Sequence, residues 1–303
     1  MLTMMQSFQD NPALKCSMLQ KAQAFQASGD WNSRPVYWDG KGGSLVGGLL
    51  GSDDLDQWVE ESGLPKWMAL LLDMVAVILP SAEDAKAAQI SLLEALPVGA
   101  DLNACGNVVL VHFLKETETD IASLSENHPL RAALTDVMAL HDAELAGKSP
   151  QPAEWRKARS EAIAATDQAV PDSPEAKFGA VIEAAAWNPR TSRSVVADTF
   201  RSWINARRDA AVQQKVGEQG LISFEETKKL LDRIHTEERK TRKDPKEFIH
   251  VFGILEERYP KEHKDMMDFH RIQHEEAIRQ RQAAFQIIIS TLQNSQDQVR
   301  CTC

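Results

Sequence analysis

The stretch KWMALLLDMVAVIL, residues 66–79, is strongly apolar and decides how the fold is interpreted. Its only charged residues are Lys66 and Asp73, and a helix that is hydrophobic on all sides has to be buried. Gly63-Leu-Pro65 before it and Pro80-Ser81 after it are signals that stop and start helices. The stretch is too short to span a bilayer, so it predicts a helix at the centre of a soluble core.

Helical periodicity continues on both sides of this central stretch, and long alternation of β-branched residues is nearly absent. Short Gly- or Pro-containing connections favour antiparallel packing of consecutive helices. The exception lies near residues 35–50. There Pro35–Trp38 is followed by a Gly-rich turn signal, after which residues 44–50 could pair back, so the sequence permits at most a short β-hairpin. We therefore predict an all-α, multi-helix antiparallel bundle-like fold with helices at 53–62, 66–79, 82–96, 101–115, 129–145, 153–169, 173–187, 192–216, 223–239, 245–259 and 260–292.

Charge is unevenly distributed along the 303 residues. Residues 1–150 hold 9 Lys/Arg and 20 Asp/Glu, residues 151–214 hold 9 and 8, and residues 215–303 hold 16 and 16. All seven tryptophans lie in the first 203 residues. The sequence thus predicts an acidic, Trp-containing helical domain at 1–214 and a charge-balanced C-terminal helical region at 215–303. The long last helix is expected to pack on the body or on a second subunit, which leaves a homodimer open.

The N-terminus has no basic segment followed by an apolar stretch, so we expect a cytoplasmic protein that does not enter a membrane. Cys16, Cys105, Cys301 and Cys303 follow neither a zinc spacing nor a dense disulfide pattern. Cys301 and Cys303 are expected to be an inert tail, with chance oxidation or metal capture as the alternative. Direct nucleic-acid binding is not expected, because the chain has a pI near 5.4. Its basic run at residues 239–243 is also neutralised by acidic neighbours.

No residue pattern specifies a reaction, and we expect neither enzymatic activity nor a cofactor. The glycines between 40 and 51 lack the Gly-Lys-Ser/Thr ending of a phosphate-binding loop. Gly220–Glu226 lacks the preceding carboxylates of a calcium loop and is better explained by a turn and a helix cap. His263, His270 and His274 leave a metalloenzyme open as an alternative, but only if a third ligand converges on them. A solvated histidine surface is the simpler interpretation.

Two acidic clusters are the sharper candidates for binding. The first cluster lies at a predicted helix N-terminus, where carboxylates also stabilise the helix dipole. The second lies in a predicted loop, where capping does not explain it and an exposed interaction surface is favoured. Trp31 and Trp38, beside the Gly-rich loop, are candidate aromatic anchors if they stay exposed. The predicted partner-binding residues are Asp53, Asp54, Asp56, Glu60 and Glu61 in the first cluster, Glu116, Glu118 and Asp120, near Glu126, in the second, and the two tryptophans.

Four segments carry a resemblance to a known class of protein. They are Gly63-Leu-Pro-Lys-Trp67, residues 92–102, Glu154-Trp-Arg-Lys-Ala-Arg159 and Glu183-Ala-Ala-Ala-Trp187. In these segments the chain resembles helical bacterial immunity proteins of polymorphic-toxin systems over roughly residues 53–210. The resemblance implies a protein that binds a cognate toxin, such as a type VI secretion effector, and blocks its active site. It supplies no catalytic residues, and residues 215–303 have no counterpart in it.

The composition agrees with that implication. Toxins that attack nucleic acid tend to be basic because they grip phosphates, and an acidic inhibitor complements them. We therefore expect an immunity protein against a nuclease acting in the cytoplasm. An adaptor that dimerises through its C-terminal helix is the alternative.

Overall fold

A computed structural model describes residues 6–242, 244 and 246–300, with side chains described as far as residue 295. This part is 73% helical, with thirteen α-helices and no β-strand, which confirms the predicted all-α class. A 3₁₀ helix, Ser7–Asp10, precedes them. The helices are α1 (Pro12–Ser28), α2 (Leu45–Leu50), α3 (Leu55–Ser62), α4 (Lys66–Ile78), α5 (Ala82–Ala95), α6 (Cys105–Asp120), α7 (Pro129–Leu145), α8 (Pro152–Thr166), α9 (Pro174–Ala185), α10 (Val195–Gln219), α11 (Phe224–Thr241), α12 (Val251–Arg258) and α13 (Pro260–Arg300).

The chain divides into two compact units. Unit 1 comprises Met1–Ala206 and Arg281–Cys303, and unit 2 comprises Arg207–Gln280. The sequence predicts two regions that meet at a single boundary after residue 214, and the division in the structure differs from this prediction. The reason is that the last part of α13 returns to unit 1, where Ala284, Ile288 and Leu292 are fully buried. None of the helices in the described part is long and apolar enough to cross a membrane.

Helix α4 is the central helix of the first half of unit 1, as its apolar sequence predicts. It packs against α2, α3 and α5, and Trp67, Met68, Leu71 and Leu72 are almost completely buried. Its acidic residue, Asp73, is buried as well. The second half of unit 1 is an antiparallel series in which α6 packs on α7, α7 on α8 and α8 on α9.

Helix α1 is absent from the sequence prediction, although both of its ends carry ordinary signals. The Asn11 side chain accepts a hydrogen bond from Ala13 N, and Pro12 occupies the first turn. At the other end Gly29 adopts the left-handed conformation. The apolar residues between these signals are too scattered to form a clear stripe, which is why the periodicity did not reveal the helix.

The hairpin considered for residues 35–50 does not form. Trp31 and Trp38 make only isolated bridges to Gly43, and residues 45–50 are helix α2. Ser44 caps this helix by accepting a hydrogen bond from Gly47 N at 3.1 Å. A side chain at Gly43 or Gly47 would overlap the Tyr37 carbonyl oxygen, so these glycines allow a close approach of two backbone segments.

Helices α6 and α12 show the largest shifts from a predicted first residue. Helix α6 begins four residues later than predicted and continues to Asp120. Helix α12 was predicted from residue 245 but begins at Val251. Pro245 itself lies outside the described residues. Asp244 accepts a hydrogen bond from Lys246 N at 2.8 Å, so the Asp-Pro signal makes a local turn instead of capping a helix.

Unit 2 is built from α11, α12 and the parts of α10 and α13 that fall within it. Its described core is small, with Leu230, Ile234, Leu255 and Met266 buried together. A capping box at Ser223 and Glu226 begins α11, and Gly220 adopts the left-handed conformation just before it. This confirms the turn and the helix cap inferred for Gly220–Glu226.

Candidate interaction surface

The first acidic cluster lies on and just before α3. Asp53, Asp54, Asp56, Glu60 and Glu61 are all exposed. Asp54 is the N-cap and accepts a hydrogen bond from Asp56 N at 2.8 Å, so capping accounts for this carboxylate. Asp56 pairs with Lys66 at 2.5 Å, and Glu61 accepts a hydrogen bond from Gln57 at 2.7 Å. The short helix therefore presents five carboxylates to solvent within nine residues.

The second acidic cluster is helical, which corrects its placement in a loop. Glu116, Glu118 and Asp120 belong to the last turns of α6, because buried Thr117 and Ile121 anchor this stretch. Carboxylates at a helix C-terminus face the negative end of the dipole and are unfavourable there. Only Glu126 lies in the loop that follows.

An arginine partly offsets the second cluster. Arg131 on α7 donates to the carbonyl oxygens of Ala122 and Leu124 at 3.3 and 3.1 Å. Together with Glu118 and Glu126 it lines a cavity of about 190 Å³. The structure thus brings two carboxylates of this cluster beside a cation. All five carboxylates of the first cluster are exposed, whereas Asp120 of the second cluster is half-buried, and this difference favours the first cluster as a surface for a basic partner.

Trp31 and Trp38 are half-buried and occupied by contacts within the chain. The Trp31 indole donates to Gln89 Oε1 at 3.1 Å, and Lys86 Nζ lies 5.2 Å from its ring centroid. The Trp38 ring lies 5.9 Å from that of Phe25. Their partial burial gives them less free surface than the anchors of a binding site usually need.

A buried carboxylate fixes the backbone of this Trp-bearing loop. Asp73 accepts hydrogen bonds from Val36 N at 2.8 Å and Val46 N at 3.3 Å. Burial raises the pKa of Asp73 to about 6, although hydrogen bonds from Ser44 and from the loop backbone act to lower it. The loop is therefore built around an acidic group from α4.

The structure does not gather these candidate residues into one site. Helix α3 packs against α2, α4 and the 3₁₀ helix, whereas α6 packs against α7 and α9. The first acidic cluster contacts the N-terminal segment, because Gln9 Nε2 donates to the carbonyl oxygens of Glu60 and Glu61 at 2.7 and 3.3 Å. A partner that used both clusters would have to contact two separate helices.

The histidines do not assemble into a metal site. Across the described residues, no group of three or more His, Cys, Asp or Glu side chains is arranged to hold a metal ion. His270 and His274 are exposed, and the neighbouring Glu276 is buried in an ion pair with Lys215 at 2.6 Å. Cys301 and Cys303 lie outside the described residues. The third ligand that the metalloenzyme alternative needs is therefore not found in the described part.

The basic run near residue 240 is paired with acidic neighbours, as its sequence suggests. Arg242 contacts Glu247 and lies 3.5 Å from Glu238, and Arg258 pairs with Glu238 at 2.8 Å. Lys243 lies outside the described residues.

Exposed apolar side chains are the feature that sequence reasoning missed. Trp187 in unit 1 is 40% exposed, with the Arg159 guanidinium 4.8 Å from its ring centroid. Unit 2 exposes Phe224, Phe248, Phe252, Met267 and Ile278, and Phe248 is 82% exposed. The sequence carries no signal for this exposure, because Phe248 stands beside Ile249, Val251 and Phe252 in an apolar run that is typical of a buried helix.

The loosely periodic apolar residues of the last helix, α13, are mostly buried within the chain. Of Met267, Ile272, Ala277, Ala284, Ile288 and Leu292, only Met267 is exposed. The other five pack within the chain, in agreement with a last helix that packs on the body.

No protein family, curated protein or solved structure gives a match to this chain.

Proposed function

We propose that this protein is an immunity protein that binds a basic antibacterial toxin and covers its active or substrate-binding surface. The toxin class we propose is a nuclease delivered by type VI secretion and acting in the cytoplasm. The observation that carries the proposal is the first acidic cluster, with its five exposed carboxylates on and just before one short helix of unit 1.

The charge of the surrounding unit strengthens this interpretation. Unit 1 contains 18 Lys/Arg and 28 Asp/Glu, so it carries the whole net charge of −10. Such a field attracts a basic partner over about a Debye length and raises the association rate. A nuclease surface that grips phosphates is positively charged for the same reason, so an acidic helix competes with its substrate.

The test is growth rescue by co-expression with the product of the adjacent gene, followed by affinity measurement on the purified pair. The informative variant is Asp53→Lys/Glu60→Lys/Glu61→Lys, which leaves the Asp54 cap and the Asp56–Lys66 ion pair in place. We expect this variant to lose rescue and to weaken binding by at least about a hundredfold, mainly at low salt.

A matched control reverses three other exposed carboxylates of unit 1. Asp136→Lys/Asp142→Lys/Asp167→Lys changes the net charge by the same amount at sites outside both clusters. We expect it to retain rescue. Equal binding by the two triple variants would refute the assignment of the first cluster, and a neighbouring product that is not toxic would refute the immunity function itself.

A further inference from the structure

A cationic cavity of about 330 Å³ lies in the acidic unit 1. Its walls include Lys66, Arg190 and Arg193, three of the 18 Lys/Arg in that unit. The volume is at the lower end of the range for small-molecule sites. Three cationic side chains around one cavity, in a unit whose net charge is −10, make this cavity a candidate site for an anion.

Three helix N-termini lie at or beside the walls of this cavity. Pro65, Lys66 and Trp67 begin α4, Asn103 precedes α6, and Arg193 precedes α10. The N-cap residues of α4 and α6 form no side-chain cap hydrogen bond. The first N–H groups of a helix and its dipole both favour an anion at this end.

Trp67 adds a buried donor to the cavity wall. Its side chain is 2% exposed, and its indole N–H has no hydrogen-bond partner among the described residues. Trp58 and Trp155 also lack a partner for this group, but neither lines the cavity. A buried N–H is normally satisfied, so Trp67 leaves an unmet donor beside the cavity, packed near Gly106 and Pro189.

The loop that supplies the two arginines is held in place by a buried carboxylate. Glu144 on α7 accepts a hydrogen bond from the Asn188 amide at 2.7 Å and pairs with Arg190 at 3.5 Å. The Asn188 side chain also accepts a hydrogen bond from Arg190 N at 2.9 Å. The loop is thus preorganised before any ligand arrives.

The acidic groups near the cavity occupy two of the three cations. Lys66 pairs with Asp56 at 2.5 Å, and Arg190 pairs with Glu144. Arg193 is exposed and forms no hydrogen bond or ion pair with the described residues. It is therefore the cation most available to a ligand.

We propose that this cavity binds the phosphate group of a small molecule. The arginines provide donors suited to a tetrahedral oxyanion, and the helix N-termini at the wall favour an anion. The cavity adjoins the first acidic cluster, because its lining includes Val59 of α3 and Lys66, which pairs with Asp56. Its ligand is an anion, whereas the toxin proposed to contact that cluster is basic.

The experiment is calorimetric titration of inorganic phosphate into the full chain at constant ionic strength. We expect Arg193→Gln to weaken binding by about tenfold or more, because it removes a charge-assisted contact. The matched control, Arg201→Gln on α10, removes an exposed arginine that does not line the cavity and should leave the affinity unchanged. Trp67→Phe, which keeps the ring and removes the N–H, should also weaken binding.

Thermal unfolding of each variant verifies that it is folded, and bound phosphate should raise the melting temperature of the wild type. The absence of phosphate binding at millimolar concentration overturns the proposal. Equal affinities of Arg193→Gln and Arg201→Gln overturn it as well. Citrate serves as a carboxylate probe, and stronger binding of citrate than of phosphate would contradict the assignment to a phosphate group.

Discussion

The two units differ in how they use charge. Unit 1 carries the net charge of −10, whereas unit 2 contains 16 Lys/Arg and 16 Asp/Glu and is neutral. Unit 1 also contains most of the buried apolar side chains, whereas the described part of unit 2 buries far fewer, four of them in one cluster. The larger core of unit 1 can offset the repulsion among its excess negative charges. The stability of unit 2 depends more on ion pairs between opposite charges.

The same contrast holds for buried carboxylates. In unit 1, Asp73 is held by backbone N–H groups, and burial raises its pKa to about 6. In unit 2, burial acts to raise the pKa of Glu276, but hydrogen bonds from Lys215 and Gln280 and the charge of Arg279 hold it below its ordinary value. Uncharged hydrogen-bond donors therefore stabilise the carboxylate of Asp73, whereas the charged side chains of Lys215 and Arg279 help to stabilise that of Glu276.

The largest expected effect comes from truncating matched core leucines. Leu72 and Leu255 are both fully buried, the first in unit 1 and the second in unit 2. We expect Leu72→Ala to lower the free energy of unfolding by about 2–5 kcal/mol, because it leaves a cavity in a well-packed core. Leu255→Ala should unfold unit 2 while unit 1 remains folded, because a small core gives unit 2 a low free energy of unfolding.

Hydrogen exchange combined with urea unfolding measures both effects. In Leu255→Ala, protection should be lost in α11 and α12 and retained in α4 and α6. If both variants instead lose protection throughout the chain in a single transition, the two units form one cooperative body and the comparison between them fails.

The next effect concerns pH and a pair of buried groups in unit 1. Burial lowers the pKa of His141 to about 4, although its hydrogen bond to the Ala185 carbonyl acts to raise it. The unfolded chain therefore binds more protons here, and this stability is lost as the pH falls from 6.5 to 4. The raised pKa of Asp73 works in the opposite direction, because its stability is lost as the pH rises from 3.8 through 6. Each contribution is on the order of 3 kcal/mol, and the two nearly cancel.

Asp73→Asn removes one side of this balance. We expect the variant to be less stable at every pH and to lose an additional amount on the order of 3 kcal/mol between pH 6.5 and 4 relative to the wild type. Urea unfolding at a series of pH values measures the difference. Glu276→Gln is the control from unit 2 and should have the opposite effect, because its lowered pKa gives stability that is lost as the pH falls. Parallel pH profiles for the wild type and Asp73→Asn would exclude the role assigned to Asp73.

Much of this fold was predictable because its helices carry local signals. Helix α7 was predicted to the residue, since Pro129 opens it and Gly147 follows its end. Helix α4 was predicted to within one residue for the same kind of reason. The sequence could not reveal that Asp73 is buried, because its donors, Val36 N in a loop and Val46 N in α2, lie 37 and 27 residues earlier in the chain.

The candidate sites were less predictable than the helices. The carboxylates of the first acidic cluster follow from their sequence, because Asp54 is a helix cap and its neighbours share a short amphipathic helix. The cationic cavity does not, since Lys66, Asn103 and Arg193 are distant in sequence and meet only through tertiary packing. Local patterns report helix ends and faces, whereas cavities depend on the packing of several helices.

A smaller effect is expected from removing one helix cap in each unit. Ser44 is buried and accepts hydrogen bonds from Gly47 N and Tyr37 N, at 3.1 and 3.2 Å. Ser223 caps α11 in unit 2 and accepts a hydrogen bond from Glu226 N at 3.2 Å. We expect Ser44→Ala to cost about 2 kcal/mol and Ser223→Ala about 1 kcal/mol, because only the first leaves two donors of a buried loop without an acceptor. Urea midpoints at pH 7 measure both costs, and a larger cost for Ser223→Ala would show that burial does not rank these caps.

The smallest expected effect is the response of each unit to salt. The like charges of unit 1 repel one another at low ionic strength, whereas the balanced charges of unit 2 attract as often as they repel. Raising NaCl from about 0.01 to 0.15 M shortens the Debye length from about 30 to 8 Å, which should stabilise unit 1 by less than about 1 kcal/mol and leave unit 2 unchanged or slightly weaker. Urea is the suitable denaturant because it adds no ions, and hydrogen exchange distinguishes the unfolding of the two units.

Asp53→Lys/Glu60→Lys/Glu61→Lys reduces the net charge of unit 1 from −10 to −4 and should flatten its salt response, since the repulsion is then mostly gone. A stronger salt stabilisation in unit 2 than in unit 1 would show that specific ion pairs, and not net charge, set the response of each unit.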